Sequence, residues 1–505
     1  MTPLARTGTP VRSLASFWNE SRLRVAHAKS SSVRPAPGTV PWRAALEDVL
    51  KVGYGVQTHS RFVAGAWERI RWRTTPSAGA LYPYEVIASI AGEGSYLWDV
   101  EQGRLVPYGL APLTHDDLAG AGFVTPSGHR LEALLTLVGR PWLSMKKYHQ
   151  RGYAYCHLDV GHLTTNLAIY TTALGFTPNL HLRFSRTSMA EHLQLDGLCR
   201  EPLAALSFTS AGPAAGPQAA VGSETEAVLP STCLELPGQQ EVLNWESLRG
   251  ILSFDSPLKT PCAPVSVTLL LEPAEVHEVP HVSDIPEVSS LLPLSDGRPR
   301  PSSATEWRSL ILGRRSAKGF RDQPLSVAQL GELLGALRAE GFPADCSQDG
   351  SARLGVRLVA RNVDGLAGVF AYSPASHALH RIDARAADPR PACMQQEIAG
   401  NLAALVIFHA PICRLVDEHG YSAFAELHFH AAQMGQRLHL AAARLGAVGM
   451  TCIGGFDGEE CAALARLGPG DEAVYLALLG VPDETAFKRD RMTVAYSHGY
   501  VTQEG

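Results

Sequence analysis

One turn in the second half of the sequence carries residues suited to binding a phosphate. The segment LGRRSAKGFRDQPLSVAQL brings together two guanidinium groups, a hydroxyl and an ammonium group, from Arg314, Arg315, Ser316 and Lys318. Guanidinium groups engage phosphate oxygens two at a time, and a hydroxyl adds a further donor. This turn, called the cationic turn below, is therefore a candidate anion site, and the alternative is that it is only a solvated basic turn.

Two glycine-containing loops are suited to a close approach by the backbone. The first, in RTTPSAGALYPYEV, consists of Pro76, Ser77, Ala78 and Gly79 and is called the PSAG loop below. The second, in CIGGFDGEE, contains Gly454 and Gly455 and is called the IGGF loop. Tandem glycines let a backbone lie flat against a ring system because no Cβ intervenes.

The sequence repeats itself once, and the repeat predicts the elements that position these loops. Residues 161–175 and 431–446 both carry apolar residues three or four apart and end in Gly, as a helix with a glycine C-cap does. The segments YLWDVEQGRLVPYG and VFAYSPASHALHRID both predict a strand, a turn and a strand. A short amphipathic helix is predicted near the start of each half, from Ala45 and from Gln329.

This repeat predicts two α+β domains of one fold. We expect them to span residues 1–210 and 301–505, joined by a connector over residues 211–300 that is rich in Ala, Gly and Pro at its start. A strand is predicted within the connector at VSVTLLLEP. A tandem duplication of this kind replaces a homodimer, whose sites often lie at its interface.

Each half lacks what the other keeps. Aligning the first helices places Ser30 and Ser31 opposite the two arginines of the cationic turn. Aligning the strand units places Arg353 opposite Gly79 and Arg357 opposite Pro83. The double glycine is likewise present only in the second half, so one complete site would need residues from both halves.

Composition excludes several classes of protein. The 505 residues are 45% hydrophobic and 18% charged, as in an ordinary globular protein, and the net charge of -5 argues against nucleic-acid binding. No apolar run is long enough to span a bilayer, and nine scattered cysteines without a CxxC pair favour a reduced, cytoplasmic protein. The segment ELHFH, with Glu426, His428 and His430, is better explained by a packed helix than by a metal site, because the two histidines point in different directions.

Taken together, these motifs resemble the flavin-dependent nitroreductase superfamily, and within it the SagB/ThcOx-type azoline dehydrogenases. The segments that carry the resemblance are RRSAKGF, PSAGALYP, KKYHQRGYAYCHLDVGH, CIGGFDGEE and YLALLGVP. PSAGALYP followed by KY, RGY and GH is a specific combination, whereas RRS alone is weak. The resemblance implies two tandem nitroreductase-like α+β domains that form an intrachain pseudo-dimer.

The resemblance also implies FMN as the cofactor. In this family the arginine turn and the IGGF-type loop come from one subunit, and the PSAG-type loop comes from the other. It implies that Arg314, Arg315, Ser316 and Lys318 hold the phosphate and ribityl end, that Gly454 and Gly455 lie by the ring, and that the PSAG loop closes the site. Arg489 and Arg491, with Lys488, are further candidates for the phosphate, although a terminal charge run is usually a solvated tail. Because the mirror-image site lacks the arginines, one FMN per chain is expected.

A Lys–Tyr pair near the flavin is implicated in catalysis in the azoline branch. The segment SMKKYHQRGYAY supplies Lys147 and Tyr148, with Lys146 as an alternative lysine and a surface loop as the alternative interpretation. Aromatising an azoline removes a Cα proton and a Cβ hydride, and a tyrosine beside a lysine is a candidate base. The tyrosines and histidines that follow are expected to pack: Tyr153, Tyr155, His157 and His162.

The resemblance implies an FMN-dependent dehydrogenase that oxidises thiazolines or oxazolines to azoles in a ribosomally synthesised peptide, with O2 reoxidising the flavin. Its expected partners are the peptide substrate and a cyclodehydratase or a leader-peptide-binding protein, without nucleic acid or membrane. Two alternatives remain: an NAD(P)H-dependent reductase of nitro groups or dehydroamino acids, and a flavin-free scaffold subunit.

Overall fold

The computed structural model describes residues 42–63, 66–123, 129–197, 199–211, 265–266, 291–294, 301, 303–338 and 354–486. Several sequence predictions lie outside these residues, namely those on Ser30, Ser31, Arg353, Lys488, Arg489, Arg491 and most of the connector.

The first half contains a main antiparallel sheet, a separate two-stranded sheet formed by its first two strands, and a long central helix. Its helices are α1 (Trp42–Gly53), α2 (His115–Gly120), α3 (Pro141–Tyr148), α4 (Arg151–Ala173) and α5 (Arg186–His192). Its strands are β1 (Val56–Val63), β2 (Ala66–Arg73), β3 (Tyr84–Ile90), β4 (Gly94–Asp99), β5 (Arg104–Pro107), β6 (His129–Gly139), β7 (Pro178–His181) and β8 (Glu201–Ala211).

The second half contains elements of the same kinds, preceded by two short connector strands, β9 (Val265–Ser266) and β10 (Leu291–Pro293). Its helices are α6 (Ala304–Gly313), α7 (Val327–Gly335), α8 (Ile412–His419), α9 (Tyr421–Leu445) and α10 (Gly458–Ala465). Its strands are β11 (Phe320–Arg321), β12 (Gly355–Val363), β13 (Leu366–Ser373), β14 (Ala378–Asp383), β15 (Ala404–Ala410), β16 (Gly449–Ile453) and β17 (Glu472–Pro482).

The two main sheets have the same topology. In the first half the spatial order is β5-β4-β3-β6-β8-β7, and in the second it is β14-β13-β12-β15-β17-β16, with every neighbouring pair antiparallel. The repeat of strand, turn and strand that the sequence predicts is therefore confirmed, as is the α+β class. The connector strand β9 extends the first sheet beside β7, and β10 extends the second beside β14.

The ladder register corrects one alignment made from the sequence. Tyr84, the first residue of β3, lies opposite the last residue of β6, and Gly355, the first residue of β12, lies opposite His409 near the end of β15. Val86 and Ala88 of β3 face the central helix of the first half, as Val356 and Leu358 of β12 face that of the second, so Tyr84 is equivalent to Leu354. Arg357 stands three residues after that position and is not the equivalent of Pro83, contrary to the alignment made from the sequence.

Helices α4 and α9 cross at the boundary between the halves. Both end as predicted at a glycine of positive φ, Gly175 at +88° and Gly446 at +71°, because a left-handed residue stops a helix at little cost when it lacks a Cβ. At the crossing, a Cβ added to Gly161 would meet the backbone oxygen of Phe429 at 2.5 Å and the Cβ of Ala432 at 2.7 Å. Glycine at this position therefore lets the two helix backbones approach closely.

Candidate active site between the two halves

The PSAG loop lies against the predicted catalytic pair. Residues Ala78–Ala80 form a single 3-10 turn, within which Gly79 has a φ of +63°. A Cβ on Gly79 would meet the hydroxyl oxygen of Tyr148 at 2.5 Å and the Nζ of Lys147 at 3.1 Å. Both the backbone conformation and the neighbouring side chains therefore require glycine here.

A buried carboxyl group anchors this loop from below. The hydroxyl of Ser77 donates to Asp159, the backbone N–H of Ala78 donates to its Oδ1 at 3.3 Å, and Tyr82 N–H donates to Ser77 Oγ at 2.8 Å. Burial raises the pKa of Asp159 to about 8, and the hydrogen bonds from Ser77 and Ala78 oppose that rise. The sequence analysis missed Asp159, although it lies in the same GH-containing segment that carries the resemblance.

Tyr155 joins the two loops. A Cβ on Gly454 would collide with the ring of Tyr155, and the Tyr155 ring centre lies 4.9 Å from that of Tyr148 in an edge-on arrangement. One continuous surface, called the retained corner below, is therefore formed by Gly79, Tyr148, Tyr155 and Gly454. The sequence predicted that Tyr155 packs, and the structure shows that it packs against the IGGF loop of the opposite half.

Arg151 fixes the IGGF loop from the first half. Its Nη1 donates to the backbone oxygen of Phe456 at 2.9 Å, and its guanidinium carbon lies 4.1 Å from the centre of the Phe456 ring. This contact combines a charge-assisted hydrogen bond with a cation–π interaction. A cavity of about 230 Å³ opens beside it, walled by aromatic rings including Phe424 and by the imidazole of His428.

The Lys–Tyr pair stands at the end of α3. Lys147 is exposed and Tyr148 is half-buried, and the Nζ of Lys147 lies 5.5 Å from the centre of the Tyr148 ring. Lys147, like Tyr148, borders Gly79, which favours it over Lys146 as the lysine of the pair. The tyrosine hydroxyl and the ammonium group thus share one side of the PSAG loop.

The cationic turn reaches across to the first half. Arg314 is buried, and its guanidinium donates to the backbone oxygens of Thr74 at 2.7 Å and Arg73 at 3.2 Å and to the hydroxyl of Ser316 at 3.2 Å. Arg315 is exposed and lies over the ring of Trp72, 4.8 Å from its centre. Arg314 therefore holds the strand end from which the PSAG loop departs, a contact that could not be predicted from the sequence.

Lys318 and Arg314 stand near a buried imidazole. The pKa of His439 lies well below its ordinary value, first because the ring is buried and then because Arg314, His162 and Lys318 add positive charge nearby. Among the described residues, neither ring nitrogen of His439 has a hydrogen-bond partner. A buried polar group of this kind, beside two cations, is consistent with a site that takes a polar ligand.

The three polar side chains of the ELHFH segment each contact a different partner. Glu426 pairs with Arg183 in a bidentate ion pair, whose second bond measures 3.0 Å. The Nδ1 of His428 bonds the backbone oxygen of Phe424 at 2.8 Å, and that of His430 bonds the side chain of Gln433 at 3.1 Å. In the part of the chain that the structure describes, no group of three or more His, Cys, Asp or Glu side chains could hold a metal ion.

These residues fit FMN, which the resemblance implies. The glycines of the PSAG and IGGF loops form a cradle that a Cβ at Gly79 or Gly454 would fill. The cationic turn supplies the donors that a phosphate needs, and His439 supplies unpartnered ring nitrogens beside it. The assembled set needs both halves, since the PSAG loop lies in the first half and the IGGF loop, the cationic turn and His439 lie in the second.

Part of the second half is similar to a known family. Residues 311–481 match the model of the nitroreductase family. A candidate nitroreductase of Methanocaldococcus jannaschii is 27% identical over 161 residues, which cover 31% of this chain and 76% of that protein.

One similar structure spans both halves. The crystal structure of a candidate nitroreductase from Anabaena variabilis aligns with a TM-score of 0.65 and 21% identity, covering 88% of each chain, which shows a shared fold. A chain of the E. coli microcin synthetase McbBCD complex, solved with truncated pro-MccB17 bound, covers 42% of this chain with 18% identity, but its TM-score of 0.27 carries no argument. Across the described residues, the helices are all too short or too polar to cross a bilayer.

Proposed function

We propose that the chain is an FMN-dependent dehydrogenase that oxidises thiazoline or oxazoline rings to azoles in a ribosomally synthesised peptide. It would bind one FMN per chain, at the interface of a tandem pseudo-dimer of nitroreductase-like domains. The observation that supports this most is the retained corner, where Gly79 and Tyr148 meet Tyr155 and Gly454. It joins the proposed base and both proposed ring-binding loops.

The pseudo-dimer is supported by the way the halves meet. In a two-fold interface, each contact between residues i and j recurs between their equivalents. Gly161 and Ala432, which the glycine-ended helices place at equivalent positions, touch each other at the crossing of α4 and α9. The approach of Tyr155 to Gly455, whose Cβ position lies 3.9 Å from the tyrosine hydroxyl, likewise recurs as the ion pair of Glu426 with Arg183, which stand at the equivalent positions of the other half.

In this proposal the cationic turn holds the phosphate and the two loops border the ring. Arg315, Ser316 and Lys318 would bind the phosphate and ribityl end together with Arg314, which also fixes the backbone before the PSAG loop. Arg489 and Arg491 remain proposed phosphate ligands from the C-terminal segment. FMN, when bound, supplies a hydride acceptor that O2 reoxidises.

The chain itself would handle the proton. Oxidation of an azoline removes a hydride from Cβ and a proton from Cα, and the phenolate oxygen of Tyr148 would accept that proton. The ammonium group of Lys147 lies beside the same hydroxyl at the edge of Gly79, where it would stabilise the negative charge of the tyrosine oxygen. Asp159 would keep the PSAG loop in register with this pair through Ser77 and Ala78.

The test is anaerobic reduction of the purified protein. An azoline peptide should bleach the flavin band near ~450 nm and NAD(P)H should not, because the substrate is the hydride donor in this proposal. Bleaching by NAD(P)H alone would instead identify a reductase, and protein that stays colourless after incubation with FMN would identify a scaffold subunit. Tyr148→Phe should keep the flavin and lower turnover about 100-fold or more, with Tyr148 removed from the mechanism if turnover is unchanged.

A further inference from the structure

A methionine is presented to solvent at the rim of the retained corner. Met394 is 61% exposed, and the other exposed large apolar side chain within the described residues, Leu174, is 37% exposed at the end of α4. An exposed apolar side chain is common on proteins when it stands alone on a surface. Met394 differs from such isolated surface side chains in its position and in its backbone conformation.

The backbone around Met394 is held in an unfavourable conformation. Met394 and Gln395 have φ angles of +53° and +57°, a region that residues with a Cβ rarely adopt, and here two such residues are consecutive. Gln395 N–H donates to the backbone oxygen of Arg390 at 2.8 Å, which closes the loop. Strain of this kind persists only where the surroundings impose it, and it is concentrated at functional sites.

The same loop is tied to the IGGF loop. The Nε2 of Gln396 donates to the backbone oxygen of Gly455 at 2.9 Å, and Asp457 N–H donates to the backbone oxygen of Ala392 at 2.9 Å. A Cβ on Gly455 would lie 4.0 Å from the sulfur of Met394 and 3.9 Å from the hydroxyl oxygen of Tyr155. The thioether and the phenol therefore both border the outer edge of the IGGF loop.

We propose that Met394 contacts an apolar side chain of the peptide substrate next to the ring that is oxidised, and so determines which sequences are processed. A thioether suits this role because it is unbranched and polarisable and adapts to side chains of different shape. The hydrogen bonds from this loop to the IGGF loop hold the backbone of Met394 beside the proposed flavin site. The inference rests on the proposed function for the identity of the substrate.

The test is a double-mutant cycle between protein and ligand. Two fluorescent thiazole peptides would be compared, with Leu or Ser beside the heterocycle, and their binding measured by anisotropy against the wild type and Met394→Asn. Asparagine tolerates the positive φ, so the loop keeps its conformation. Met394→Asn should weaken binding of the Leu peptide about 10-fold and leave the Ser peptide within about 2-fold.

Two controls separate the alternatives. Gln395→Asn changes the adjacent residue of positive φ, and Leu174→Ser removes the other exposed apolar side chain; neither should affect either peptide. Equal weakening of both peptides, or no binding of either by the wild type, would overturn the inference. Because product binding needs no turnover, selective binding without azoline oxidation would contradict the proposed function alone, and oxidation without selectivity would contradict the role of Met394 alone.

Discussion

The retained corner and its mirror image occupy equivalent places in the two halves but differ in chemistry. Helices α5 and α10 follow these corners, and their N-caps are Ser185 and Asp457. Arg183 stands two residues before Ser185, just as Gly455 stands two residues before Asp457.

The opposing helices carry a matching difference. Tyr155 precedes Gly161 by six residues, and Glu426 precedes Ala432, the equivalent of Gly161, by the same number. In the mirror corner an ion pair between Arg183 and Glu426 therefore occupies the position that Gly455 and Tyr155 occupy at the retained corner. The mirror corner carries two charged side chains where the retained corner carries a glycine and a tyrosine, a difference that supports the proposal of one flavin per chain.

The largest expected effect comes from placing an arginine in the IGGF loop, since the mirror corner carries an arginine in the corresponding loop. In Gly454→Arg, the new side chain would overlap the ring of Tyr155, since even a Cβ collides there. Overpacking of this kind costs enough free energy that FMN affinity should fall about 100-fold or more. The measurement is flavin stoichiometry after gel filtration.

The matched control reverses the change in the mirror corner. Arg183→Gly should leave one FMN per chain, because the retained corner is untouched. A second equivalent of flavin in Arg183→Gly would show that the mirror corner still binds the cofactor and that the ion pair alone excludes it. Full occupancy in Gly454→Arg would remove the IGGF loop from the flavin site.

The sequence predicted the helices and motifs of the two corners better than it predicted the tertiary contacts between them. Helix periodicity and terminal glycines located α4 and α9, and the Ser326 N-cap with its capping box confirms the helix predicted after the cationic turn. The link between Gly79 and the Lys–Tyr pair followed from the resemblance. Such features depend on residues close together in the chain or on a motif.

The contacts between residues far apart in the chain could not be predicted in the same way. The bond from Arg314 to the backbone of Thr74 and the anchoring of Ser77 by Asp159 depend on tertiary proximity, which one sequence does not encode as a local pattern. The equivalence of Arg183 and Gly455 depends on where the following helices begin in the structure, and the alignment of Arg357 with Pro83 shows how easily a strand register is misplaced from the sequence.

A smaller effect is expected from separating the mirror ion pair. Arg183→Ala leaves the carboxylate of Glu426, which is 2% exposed, without its partner, and this should lower the free energy of unfolding by about 3 kcal/mol. The double variant Arg183→Met with Glu426→Gln should recover most of the loss because no buried charge remains. Denaturant unfolding measures both, and an Arg183→Ala chain as stable as the wild type would show that the pair is solvated.

The last comparison is a difference in pH response between the corners. Asp159 and His430 stand at equivalent positions, two residues before the helix crossing. Burial raises the pKa of Asp159 to about 8 from 3.8, so its stabilising contribution is complete below about pH 4 and is lost as pH rises towards 8. Burial lowers the pKa of His430, so its contribution is present above its ordinary value of 6.5 and is lost as pH falls.

The two corners should therefore respond to pH in opposite directions. Relative to Asp159→Asn, the wild type should lose unfolding free energy between pH 4 and 8, by at most about 1.4 kcal/mol per pH unit. Relative to His430→Gln, it should lose stability below pH 6.5. Unfolding titrations across this range measure both differences. Parallel curves for wild type and Asp159→Asn would mean that the carboxyl group beneath the PSAG loop is solvated, and the loop would then need another anchor.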